Sequence, residues 1–105
     1  MADKMFENNQ VSIIGEIVSD FQFSHEVYGE GFYMMEVSVR RLSDCMDYIP
    51  CICWGRNARF ASTFEVGTHV QIWGRIQSRD YVKKLSETQV EQRTAYEVSV
   101  SKIEA

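Results

Sequence analysis

Apolar and polar residues alternate in short runs along most of the chain, a period of two that reads as strand rather than helix. Val11 to Phe23, VSIIGEIVSDFQF, is rich in β-branched residues and is interrupted at Gly15, where a bulge or the close approach of another backbone is expected. YGEG, Tyr28 to Gly31, is a turn signal, and GFYMMEVSVRR follows as a second strand with its alternation clearest at Met35, Val37 and Val39. LSDCMD reads as a loop. DYIPCICWG, Asp47 to Gly55, is a third strand that is apolar on both faces: Ile49, Cys51 and Cys53 share one, while Tyr48, Pro50, Ile52 and Trp54 share the other. A second apolar face needs either further protein or a ligand to cover it.

The remaining half of the chain extends the pattern. NARFASTFEVG, Asn57 to Gly67, is the one convincing helical stretch, with Asn57 as its cap, Phe60 and Phe64 one turn apart against the body of the protein, and Gly67 closing it. THVQIWGRIQSRDYV is a long fourth strand with a central glycine, Gly74. KKLSETQVEQRT, residues 83–94, reads as a polar hairpin loop, and AYEVSVSKI as a last strand with Tyr96, Val98 and Val100 inward and Glu97 and Ser99 outward. Five strands with one short helix between the third and fourth predict an all-β fold, a five-stranded Greek-key barrel of the oligonucleotide/oligosaccharide-binding type. At 105 residues the chain is expected to be one such domain, residues 1–105 with a core of about 8–104.

Charge and cysteine content sharpen this. The net charge of −4 argues against a nucleic-acid partner until its distribution is considered: residues 1–39 carry −6, residues 40–84 carry +4 and the remainder −2. Arg40, Arg41, Arg56, Arg59, Arg75, Arg79, Lys83 and Lys84 thus share the middle segment with both tryptophans, and a local basic footprint matters more than the total. Cys45, Cys51 and Cys53 offer no zinc spacing, and three cysteines suit a reducing compartment; Cys51 and Cys53 read as small core hydrophobes and Cys45 as a loop residue. The polar opening MADKMFENNQ has no signal-peptide character and no run is long enough to span a membrane, so a cytoplasmic protein is expected. No phosphate loop, nucleophile motif or histidine-containing metal signature is present; Asp44 and Asp47 read as a solvated loop pair, and catalysis and a cofactor are not expected.

Three segments, in order and at matching separations, resemble the bacterial single-stranded DNA-binding proteins. NNQVSIIGEI is similar to their first strand, DYIPCICWG to their third, and GTHVQIWGRIQSRDY to their fourth, so that the resemblance covers residues 8–104 or so. It implies a barrel that binds single strands with little sequence preference in replication, recombination or repair, assembled as a homodimer or homotetramer. Carried over position by position, it implies base stacking on Tyr48, Trp54 and Tyr81, with Arg56, Arg75 and Arg79 flanking them and Arg40 and Arg41 contributing charge after the second strand. Trp73 is better explained by packing or a subunit contact. The stretch RRLSD lacks the aromatic often found there, SHEVYGEGF departs from the usual Pro-Ser-Gly turn, and no linker or acidic tip follows the last strand. These departures imply a minimal relative, borne on a mobile element or trimmed to its core, without tail-mediated replication partners.

Stacking and charge have complementary tasks in such a site. Each stacked base contributes about 1–3 kcal/mol whatever its identity. Arginines on phosphates make the affinity fall with salt, with a slope of roughly −0.7 per phosphate on a single strand. Two rivals use the same barrel: a protein–protein adaptor of primosome type with weak nucleic-acid binding, and an enzyme subunit or tRNA-binding barrel preferring folded RNA.

Overall fold

A computed structural model describes residues 7–105; residues 1–6, most of the polar opening stretch, lie outside it. Six strands and one helix are present among the described residues: β1 (Val11–Ile17), β2 (Gln22–Val27), β3 (Glu30–Arg40), β4 (Met46–Trp54), α1 (Gly55–Ala61), β5 (His69–Lys84) and β6 (Val90–Glu104). The sheet order is β1-β5-β6-β4-β3-β2, and a further β1–β3 pairing closes β1, β5, β6, β4 and β3 into a five-membered ring. All pairings are antiparallel except β4 with β6, where Cys51 faces Val98 and Ile52 faces Ser99. This is the all-β, five-stranded ring expected from the sequence, with its helix between the third and fourth ring strands. No helix among the described residues is long and apolar enough to cross a membrane.

The sixth strand begins at the end of the first apolar run and continues through SHEV. Val11–Phe23 does not run straight through: the chain bends after Ile17, and β2 forms a separate hairpin with β3 outside the ring. The Ser19 hydroxyl accepts the Glu36 amide at 2.6 Å and fixes this bend. The YGEG turn is confirmed, with Tyr28 (φ 49°) and Gly29 (φ 83°) both left-handed, the backbone a two-residue hairpin needs to match strand twist. Gly15 and Gly74 are both places where two backbones meet. A Cβ on Gly15 would strike the Ser38 carbonyl oxygen, and one on Gly74 the Ser99 carbonyl oxygen. Beside Gly74 the β5–β6 register slips: Trp73 pairs with Lys102 and Gly74 with Val100, skipping Ser101, whose hydroxyl donates to the Trp73 carbonyl at 2.9 Å.

The helix is shorter than expected. It starts at Gly55 without a side-chain cap and ends at Ala61. Asn57 does not cap it; its amide donates instead to the Val100 and Ser101 carbonyls beside the slip, at 3.3 and 3.1 Å, tying the helix to β6. Phe64 packs against the core, whereas Phe60 is about half exposed and only meets the Phe64 ring edge-on. The expected loop over residues 83–94 is also mostly strand, since β5 runs to Lys84 and β6 begins at Val90. The ribbon projects with both faces in water, so its sequence lacks an apolar phase to betray the strands.

Ile13, Ile17, Met35, Val37, Cys51, Cys53, Val70, Ile72, Val98, Val100 and Ile103 fill the ring, with Ala58 and Ala61 from the helix over it. Cys51 and Cys53 point inward as expected, and burial pushes both thiols up to about 12. Cys45 is exposed. Because the thiolate is the reactive form, a thiol reagent at pH 8 should modify Cys45 alone in the native protein and all three cysteines in denaturant. Rapid native labelling of three thiols, counted by mass spectrometry, would contradict this interior placement.

Candidate nucleic-acid interface

The outer faces of β2, β3, β4, β6 and β5 form one continuous surface, and the register shows which side chains share it. Outward on β4 are Tyr48, Pro50, Ile52 and Trp54; the first and last are exposed at 59% and 47%. Ile52, between Met34 of β3 and Ser99 of β6, is fully buried although it lies outside the core, and forms the floor of this surface. The two apolar faces of DYIPCICWG are thereby explained: one fills the ring, and the other carries two accessible aromatic rings around a covered isoleucine.

Trp54 does not stand alone. It pairs across the strands with Phe32, and the ring centroids lie 5.7 Å apart. Phe32 in turn stacks on His25 of β2, 4.9 Å away and nearly parallel. Burial pushes the His25 imidazole below its ordinary pKa; the nearby Arg79 cation acts in the same sense and Glu97 opposes it. A neutral, flat imidazole thus extends the tier. Sequence reasoning missed Phe32 and His25, because only the β2–β3–β4 register brings them to Trp54; the alternation of Phe32 with Met34 was the available signal.

On β5, Arg75, Gln77, Arg79 and Tyr81 follow at alternate positions on the same outer face. Arg75 joins Trp54, Asn57, Ser99 and Ser101 around a shallow concavity across β6. Arg56, in the first turn of α1, is exposed next to Trp54 in the chain. Arg75 and Arg56 have no ion-pair partner among the described residues. Tyr81 lies farther out on the ribbon, 37% exposed, with the Arg79 guanidinium 5.8 Å from its ring centroid.

Other expected basic residues are engaged. Arg41 forms a forked pair with Asp47, its Nη2 and Nε donating at 2.6 to 3.0 Å, and this bond holds the Asp47 carboxyl below the usual range. Arg40 pairs more loosely with Asp44 at 3.5 Å, both side chains well exposed. The two loop carboxylates expected to be merely solvated are thus arginine partners that reduce the positive field there. Glu97 faces outward as expected and is nonetheless 3% exposed: it accepts from Gln77 Nε2 at 2.8 Å and from Arg79 Nε and Nη2 at 3.3 and 3.2 Å. Tyr96, expected inward, is 68% exposed, since its phase is right but it lies where the ribbon leaves the ring. Trp73 is outside the aromatic tier, on the β1–β5 side of the sheet, with the Lys102 ammonium 4.9 Å from its ring.

Tyr48, Trp54, Arg75 and Arg79 are therefore brought onto one face, with Arg56 at its edge and Tyr81 on the projecting ribbon, while Arg40, at the end of β3, and Arg41, just after it, are ion-paired. Comparison with known proteins bears on the family and the fold. Residues 8–105 match the model of the single-strand binding protein family. Among solved structures, the N-terminal domain of PriB protein from Thermoanaerobacter tencongensis, described as dimeric, is 32% identical, with 93% of this chain and 96% of that one covered and a TM-score of 0.67. No curated protein matches. With residues 8–105 matched by that family's model and a five-stranded ring of the expected topology, the protein belongs to the single-strand binding protein family.

Proposed function

We propose that the chain binds single-stranded DNA in the cytoplasm with little sequence preference, as a homodimer or higher homo-oligomer, in replication, recombination or repair. It acts as a binding protein, with no reaction of its own. Bases stack on Trp54 and Tyr48 and, farther along the strand, on Tyr81; Arg56 and Arg75 take phosphates, with smaller contributions from Arg40 and Arg41, whose charges are partly met by Asp44 and Asp47. The carrying observation is the His25–Phe32–Trp54 tier, aromatic and accessible at Trp54, beside cations that no carboxylate among the described residues occupies. Stacking needs unpaired bases, whereas charge alone would serve duplex equally well. The dimeric state of the similar PriB domain supports self-association.

A titration of intrinsic tryptophan fluorescence with oligo-dT tests this reading. Strong quenching at low salt that weakens as salt rises is the expected result. Absence of quenching and of any bound labelled oligonucleotide at low salt would remove single-strand binding and leave the adaptor reading.

A further inference from the structure

Glu97 is a nearly solvent-free carboxylate on the face proposed to carry a polyanion. By the β4–β6 register it lies one step before the Ile52–Ser99 tier. A bare carboxylate there would repel phosphate, but Glu97 is tied to Arg79 through two donors and to Gln77 through a third. The Glu97 side chain is 2% exposed and that of Arg79 28%, so the pair is withdrawn from solvent mainly at its acidic end. Swinging Arg79 out to a phosphate would strand a desolvated carboxylate with one amide partner, a strongly unfavourable exchange. Arg75, four residues before Arg79 in the chain and on the same face, is exposed and has no such tie among the described residues.

We infer that Glu97 sequesters Arg79: the guanidinium stays on Glu97 when a single strand binds, so that Arg79 serves as a fixed, electrically neutralised wall beside Tyr81 and contributes no phosphate neutralisation. Glu97 is then a positioning residue that sets how many charges the face offers and how steeply binding depends on salt. This rests on the single-strand reading above and departs from what the family resemblance implies, in which Arg79 flanks the stacking aromatics as a basic contact.

The test is the salt dependence of affinity for labelled oligo-dT, by anisotropy, for the full chain, Glu97→Gln and the double variant Arg79→Gln/Glu97→Gln. Freeing one cation should steepen the slope of log affinity against log salt by about 0.7 in Glu97→Gln, so that a tenfold rise in salt costs that variant roughly five-fold more affinity than the parent. The double variant, which removes a self-cancelling pair, should keep the parent slope. A parent-like or shallower slope in a folded Glu97→Gln protein, or a slope flatter by about 0.7 in the double variant, overturns the inference. Should Glu97→Gln lose its cooperative thermal transition, the double variant decides alone. Oligo-dT bound with those contrary slopes removes only this inference; a parent that binds no oligo-dT at low salt removes the single-strand reading and this inference with it.

Discussion

Replacing Trp54 by alanine should lower affinity for oligo-dT roughly 5- to 150-fold, the span that about 1–3 kcal/mol of lost base stacking represents. Trp54 is the accessible end of a supported stack. Its ring is braced by Phe32, which is itself braced by His25, so little side-chain freedom is lost when a base settles on it. Trp54→Phe keeps a π-face and should recover most of the loss. The fluorescence response should vanish along with the affinity, because the remaining tryptophan, Trp73, lies away from the tier against Lys102. Tyr48→Ala should cost less, since no aromatic ring among the described residues braces Tyr48. Anisotropy with a labelled oligonucleotide separates the affinity from the optical effect. An unchanged affinity in a folded Trp54→Ala protein, with loss of a protein partner instead, would favour the adaptor reading.

The largest effect on stability is expected at Gly74. An alanine Cβ there would be driven into the Ser99 carbonyl, a backbone atom that cannot move without breaking the β5–β6 ladder at its register slip. Overpacking typically costs about 1–3 kcal/mol, and a backbone clash belongs at the upper end, enough to move a urea midpoint by roughly 1 M or more. Gly15→Ala, facing the Ser38 carbonyl at the β1–β3 closure, should behave alike. Gly31→Ala is the control: its Cβ meets only the Tyr33 side chain, at 3.2 Å, and a ring can turn aside. Equal midpoints for Gly31→Ala and Gly74→Ala would refute the close-approach account.

The features legible in the sequence are those enforced by the ring itself. Alternation set Met35 and Val37 inward, put Cys51 and Cys53 opposite Tyr48 and Trp54, and left glycines where backbones touch, because burial on one face imposes a two-residue period. The features that stayed hidden depend on partners distant in sequence. Glu97 looks like any outward polar residue until Arg79 and Gln77 of the neighbouring strand close over it. Arg41 looks like a free cation until the loop after β3 returns Asp47 to it. Only the far end of the β5–β6 ribbon, residues 83–94, reads as loop, because a doubly solvated strand needs no apolar phase, and the bend after Ile17 is hidden because Val18 and Phe21 continue the apolar run across it.

The parallel β4–β6 pairing has a kinetic consequence. The ring closes only when segments remote in sequence meet: β1 with β5, where Asn9 clasps Ile76 across 67 positions, and β4 with β6. Loop-closure entropy must be met before these contacts give anything back, which places such topologies among the slow folders, on the order of milliseconds to seconds. Strand β4 bears both the inward cysteines and the outward aromatics, so the face that carries Trp54 is fully backed by an interior only once the ring has closed. Recovery of oligonucleotide binding after dilution from denaturant should therefore follow the closure of the interior, in a single phase.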